Sequence, residues 1–140
     1  MSWLFYAFVS AAAAAVTAIL AKIGVEGIPS TLATAVRTVV VLVFSWGLVF
    51  TFGEHRALAT VSRRSLLFLM LSGIATGVSW LAYFRALQLG PASRVAPIDK
   101  LSVALAVGMA FVFLGEKPTT GNVLGAVLVV AGVLVSVLVR

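Results

Sequence analysis

Apolar positions in this chain run in long unbroken blocks, and short polar breaks divide them into five segments. Continuous apolar runs of about 20 residues suit helices crossing a hydrocarbon core of about 30 Å, whereas a membrane-spanning strand would alternate. Spans are predicted at Trp3–Ala21, Ser30–Phe52, Leu66–Leu89, Ser93–Leu114 and Thr120–Val139. Only helices and closed barrels satisfy the backbone in lipid, so the predicted fold is all-α and membrane-embedded, one domain over residues 1–140. The links are short, which packs neighbouring helices antiparallel.

Composition agrees: 62% of residues are hydrophobic and 10% charged, far from the roughly one-quarter charged of a soluble domain. Small residues over Ala11–Ala15 and Val16-Thr17-Ala18 resemble a signal-peptidase site, but no basic residue precedes Lys22. The first segment is therefore read as a retained helix. With no cysteine and one histidine, His55 in the second–third loop, thiolate chemistry is excluded and no metal site or cofactor is expected. A net charge of +6 would suggest nucleic acid in a soluble protein. Here most basic residues fall in loops and at span ends, where lipid headgroups are the expected partner and nucleic acid is not.

Small residues mark packing faces. Ser10, Ala14, Thr17 and Ala21 recur along the first span, Gly73 and Gly77 give GxxxG spacing in the third, and Gly121, Gly125, Gly132 and Ser136 line the fifth. The third span also carries a polar stripe, Ser72, Thr76, Ser79 and Tyr83, at offsets of four, three and four. The turn Lys22–Ser30 holds a C-cap glycine, Pro29 and Ser30, read as the next N-cap. Arg56, Arg63 and Arg64 make the loop Gly53–Ser65 an interfacial anchor. Trp3, Tyr6 and Trp46 fit aromatic belts. Trp80 lies deeper and reads as a cavity wall or as packing.

Apart from Arg94 at the very start of the fourth, four ionisable residues fall within spans: Arg37, Arg85, Asp99 and Lys100. Such residues are costly and are functional candidates. The Leu, Val and Phe residues around Arg37 contribute roughly −0.3 to −0.6 kcal/mol each against about +3 for the arginine, so insertion survives and the arginine needs a partner or a water path. Arg37 and Asp99 each lie about 10 Å from the same surface. Asp99 has Arg37, Lys100 and Arg85 as possible partners, and any one pairing leaves positive charge in excess. Pro97, one turn earlier, opens the helix ladder there. Two readings stand: a polar vestibule for an anionic or zwitterionic solute, or a structural Arg37–Asp99 pair with Lys100 snorkelling.

Orientation follows the lysine and arginine excess of short loops. Arg56, Arg63, Arg64 and Lys117 fall on the N-terminal side, and Lys22, Arg85, Arg94 and Arg140 on the other. Four against four gives no bias, so two readings stand: insertion both ways up, or a single orientation set by details such as the depth of Arg85. Antiparallel copies would place ten helices about a two-fold axis in the membrane plane, the inverted architecture of many secondary transporters.

The stretch Tyr83–Val135, with "AL…GPAS…V.PI" entering span four, "FLGEKPT" leaving it and "GNVLGAVLVVAGV" in span five, resembles the second half of an EamA domain of the drug/metabolite transporter superfamily. The resemblance extends more weakly over the whole chain, whose five spans have the size and order of one EamA repeat. It implies a five-helix transporter half, which a homodimer would complete. The small multidrug resistance relatives couple protons through a glutamate in the first helix. This chain has no acidic residue there, so that mechanism is not transferred. The charged pair Asp99-Lys100 after Pro97-Ile98 is a second departure from the pattern.

The expected function is transport of a small metabolite or drug-like solute across a plasma or inner membrane, by alternating access in a homodimer. Arg37, Thr76, Ser79, Trp80, Tyr83, Arg85, Asp99 and Lys100 would line the pathway, and Asp99 is the proton-coupling candidate. The rival is a non-transporting assembly subunit. An intramembrane enzyme is disfavoured, because four acidic residues, one loop histidine and no cysteine leave few nucleophile–base pairs.

Overall fold

A computed structural model describes residues 2–139 as helices joined by short turns. They are α1 (Trp3–Gly24), α2 (Ser30–Thr51), a 3₁₀ helix (Glu54–Thr60), α3 (Arg63–Leu89), α4 (Ala92–Asp99), α5 (Leu101–Phe113) and α6 (Thr120–Leu138). Five stretches are long and apolar enough to cross a bilayer, with α4 and α5 together forming the fourth. Arg140, counted in the charge comparison, lies outside the described residues. Phe44, Val43, Leu69 and Leu128 are each about two-thirds exposed. In water that much apolar surface would not stay monomeric; in a bilayer it is the lipid-facing coat.

The helix ends explain the span boundaries. Gly53 and Gly115 follow α2 and α5 with φ of +71° and +67°, the left-handed conformation that stops a helix at little cost only in glycine. Thr119 caps α6, its side-chain oxygen accepting from the Asn122 N–H at 3.2 Å. At the α1–α2 turn the expectation changes: Pro29 occupies the N-cap, with no side-chain cap, and Ser30 is the first helical residue. A proline needs no donor there, and the Ser30 carbonyl instead accepts from Thr34 Oγ1 at 2.9 Å. The loop 53–65 is also shorter than expected. It contains the 3₁₀ helix, and Arg63 and Arg64 belong to the first turn of α3.

The fourth crossing is broken at Lys100. Pro97 has no N–H for the carbonyl one turn earlier, and the chain tightens beyond it: Lys100 N–H donates to Pro97 O and Val103 N–H to Lys100 O, both at 3.0 Å. Ser102 Oγ donates to Asp99 O at 2.7 Å. Three-residue spacing replaces the α-helical ladder, and two shorter helices result.

Two compact units make up the chain, one running Leu20–Gln88 and the other formed by the segments on either side. Among the described residues, the first holds nearly all the buried side chains: Val25, Ala33, Thr34, Phe84 and Leu87, the last fully enclosed. In the second, α6 packs on α4 and α5, with Val133 buried. A wholly apolar trough of about 390 Å³ there is lined by Ala104, Ala126, Val127, Val130, Ala131 and Leu134.

Candidate functional site

Within Leu20–Gln88 the intramembrane charges are Arg37, seven residues past Ser30 on α2, and Arg85 near the end of α3. The Arg37 guanidinium carbon sits 3.5 Å from the centre of the Trp80 ring and 5.5 Å from that of Phe84, both on α3. At 3.5 Å an edge-on approach would drive a nitrogen, about 1.3 Å from the guanidinium carbon, into the ring, so the two planes are stacked. The Tyr83 phenol is also close enough to interact electrostatically with Arg37. In this unit the guanidinium therefore meets aromatic faces, and its two carboxylates, Glu26 and Glu54, lie outside the spans. An arginine in a span opposes insertion by about 3 kcal/mol, and ring stacking returns roughly 0.5–2. Part of the cost stays uncompensated.

The same unit shows contacts that the sequence reading missed. Lys22 Nζ, in the last turn of α1, donates to Leu87 O at 2.6 Å. That carbonyl is among the last four of α3, which have no partner within the helix, and the ammonium meets the negative end of the helix dipole. Gln88 Nε2 donates to Ile28 O at 2.6 Å and to Val25 O at 3.2 Å. Arg85 Nη1 donates to Gln88 Oε1 at 3.2 Å, which turns the amide nitrogen toward the turn. Arg85 is thus exposed and tied to its own helix, while Lys22 and Gln88 fasten the end of α3 that carries Trp80 and Tyr83.

On the polar stripe of α3, Thr76 Oγ1 donates back to Ser72 O at 2.9 Å. Ser79 and Thr76 are exposed and Tyr83 half-buried. Gly73 and Gly77, and Gly121, Gly125 and Gly132 of α6, face open space: an added Cβ would meet nothing within 4 Å.

In the other unit Asp99 Oδ2 pairs with Lys100 Nζ at 3.1 Å, both side chains more than a third exposed. The pair sits on the helix break, beside backbone freed from the α-helical ladder. So exposed a pair contributes about 0–1 kcal/mol to stability.

The sequence profile of the EamA-like transporter family matches residues 1–138. A protein of Sinorhizobium sp. named as an uncharacterized transporter in the cobO 3′ region is 50% identical over 133 residues, covering 95% of this chain and 94% of that protein. No solved structure matches the chain.

Proposed function

We propose that this chain, which belongs to the EamA-like transporter family and is a multi-pass membrane transporter, moves a small metabolite or drug-like solute by alternating access as a homodimer of oppositely inserted copies. The observation that carries this reading is a single five-span repeat matched to the family over its length, with a relative of nearly the same size also named a transporter. Members of this family typically carry two such repeats of opposite orientation in one chain. One repeat needs a mate, and a count of four basic residues against four on the two sides lets another copy supply it.

In this reading Arg37, Thr76, Ser79, Trp80, Tyr83 and Arg85 are the pathway residues of one unit. Asp99 and Lys100, at the break in the fourth crossing, are those of the other, with Asp99 the proton carrier. No catalytic chemistry and no cofactor enter, and the membrane is the plasma or inner membrane. The open glycine faces serve contact between copies.

Two measurements test it. C-terminal fusions to a reporter active only in the cytoplasm and to one active only outside should both give signal, and one added lysine near a terminus should tip the balance. Signal on one side alone overturns opposite insertion. In liposomes, proton-driven solute flux should disappear in Asp99→Asn. Absence of flux across a broad solute panel favours the assembly-subunit reading.

A further inference from the structure

We propose that Arg37, held flat on Trp80, is the recognition point for the carboxylate of a small organic anion. The inference rests on the solute pathway proposed above and names the class of solute.

Stacking fixes what the arginine can bind. A guanidinium lying parallel to a ring gives the ring its face and keeps its N–H donors in its own plane, directed outward. Those donors form a planar fork matched to the two oxygens of a carboxylate. Within Leu20–Gln88 the guanidinium lies over the rings of Trp80 and Phe84, with the Tyr83 phenol in electrostatic reach. The charge is partly compensated, and neither carboxylate of this unit, Glu26 or Glu54, lies within the spans to answer it. An amine would be repelled, and a neutral solute would leave the charge unanswered.

Position separates this role from snorkelling. The Cα–Cβ bond of Arg37 tilts toward the start of α2, so a snorkelling side chain would run to the nearby surface. The guanidinium instead lies over Trp80, which is nine residues, about 13 Å, before the end of α3 on that side. Trp80 tilts farther inward still. A lipid phosphate offers the same oxyanion chemistry, but a headgroup would have to sink that far to reach the stack. A free solute reaches it through the pathway.

The test uses the full chain in an uncharged maltoside detergent, with Trp3→Phe and Trp46→Phe leaving Trp80 as the sole tryptophan. Hexanoate, hexanol and hexylamine share a body and differ in head charge, and each is titrated against Trp80 emission. The expected result is a saturable change with hexanoate at a half-saturation at least tenfold below the other two. Arg37→Gln should weaken hexanoate at least tenfold. Arg37→Lys, which keeps the charge and loses the fork, should fall between.

Equal responses to the three probes, or a hexanoate preference that survives in Arg37→Gln, overturn the proposal. The comparison of head groups needs no Arg37 variant, so misfolding of one does not blunt it. If phosphatidylglycerol added to the micelles blocks hexanoate and reproduces its effect, the occupant is a lipid phosphate and the solute assignment falls. Carboxylate binding without flux in liposomes would remove the transport reading and leave this one standing. Flux of uncharged solutes with no carboxylate preference would do the reverse.

Discussion

Replacing Lys22 by Met removes one ammonium, and with it the contact with Leu87 O, while keeping an apolar stem of similar length. A charge-assisted hydrogen bond is worth about 1.5–3 kcal/mol in soluble proteins, and the helix-end charge adds roughly 0.3–1. Interhelical hydrogen bonds in membranes measure lower, about 0.6 on average and 1.7 at most, because unfolded helices in lipid also find partners. The acceptor belongs to a fully enclosed residue at a helix end, which places this contact at the upper part of that range. The expected loss is about 1–2 kcal/mol. It can be read from detergent-to-dodecyl-sulfate unfolding titrations followed by tryptophan emission. Lys22→Arg, keeping donor and charge, should recover at least half. Gln88→Ala joins the same junction, so the double variant should depart from additivity by about 0.5 kcal/mol or more. Lys22→Met within about 0.3 kcal/mol of the parent, with an additive double variant, would refute a fastened junction.

Three other expectations follow from the geometry. Arg37→Met should be at least as stable as the parent, since it removes a costly intramembrane charge, whereas Trp80→Ala should cost about 2–4 kcal/mol through lost ring packing and an unstacked arginine; both are read by the same titration. Pro97→Ala restores an N–H inside the fourth crossing, should stabilise by up to about 3 kcal/mol, and should slow amide exchange around Ile98–Ser102. Gly27→Ala meets no atom within 4 Å, so its expected cost of about 1–2 kcal/mol, measured by thermal unfolding, comes from the backbone φ of +76° alone.

All five crossings were legible because hydropathy over 20 residues is a strong, local signal. The second span, expected at Ser30–Phe52, is Ser30–Thr51. Pro97 announced trouble in the fourth, and the break falls three residues later. What stayed hidden was rotation. When a helix is apolar on every side, sequence does not say which face meets which neighbour, so matched depth left the partners of Arg37 and Asp99 open. The structure gives Arg37 the ring of Trp80, 43 residues away, and gives Asp99 its neighbour Lys100. Gln88 was passed over because it is uncharged, and Lys22 was only counted as a charge. Both sit in the last turn of a helix, where free carbonyls and side-chain donors meet, and that position was the available signal.

Splitting the fourth crossing also alters how the bilayer must fit around the protein. The lipid-compatible part there is α5, thirteen residues and so about 20 Å long, against about 30 Å of hydrocarbon. The remaining stretch, Ala92–Asp99, completes the crossing but carries Ser93, Arg94 and Asp99. Those polar groups draw water or headgroups toward α4 and favour locally thinner lipid there. Bilayer thickness then becomes a variable that acts on this protein: thicker membranes should press hardest on this crossing, and thinner ones should relieve it.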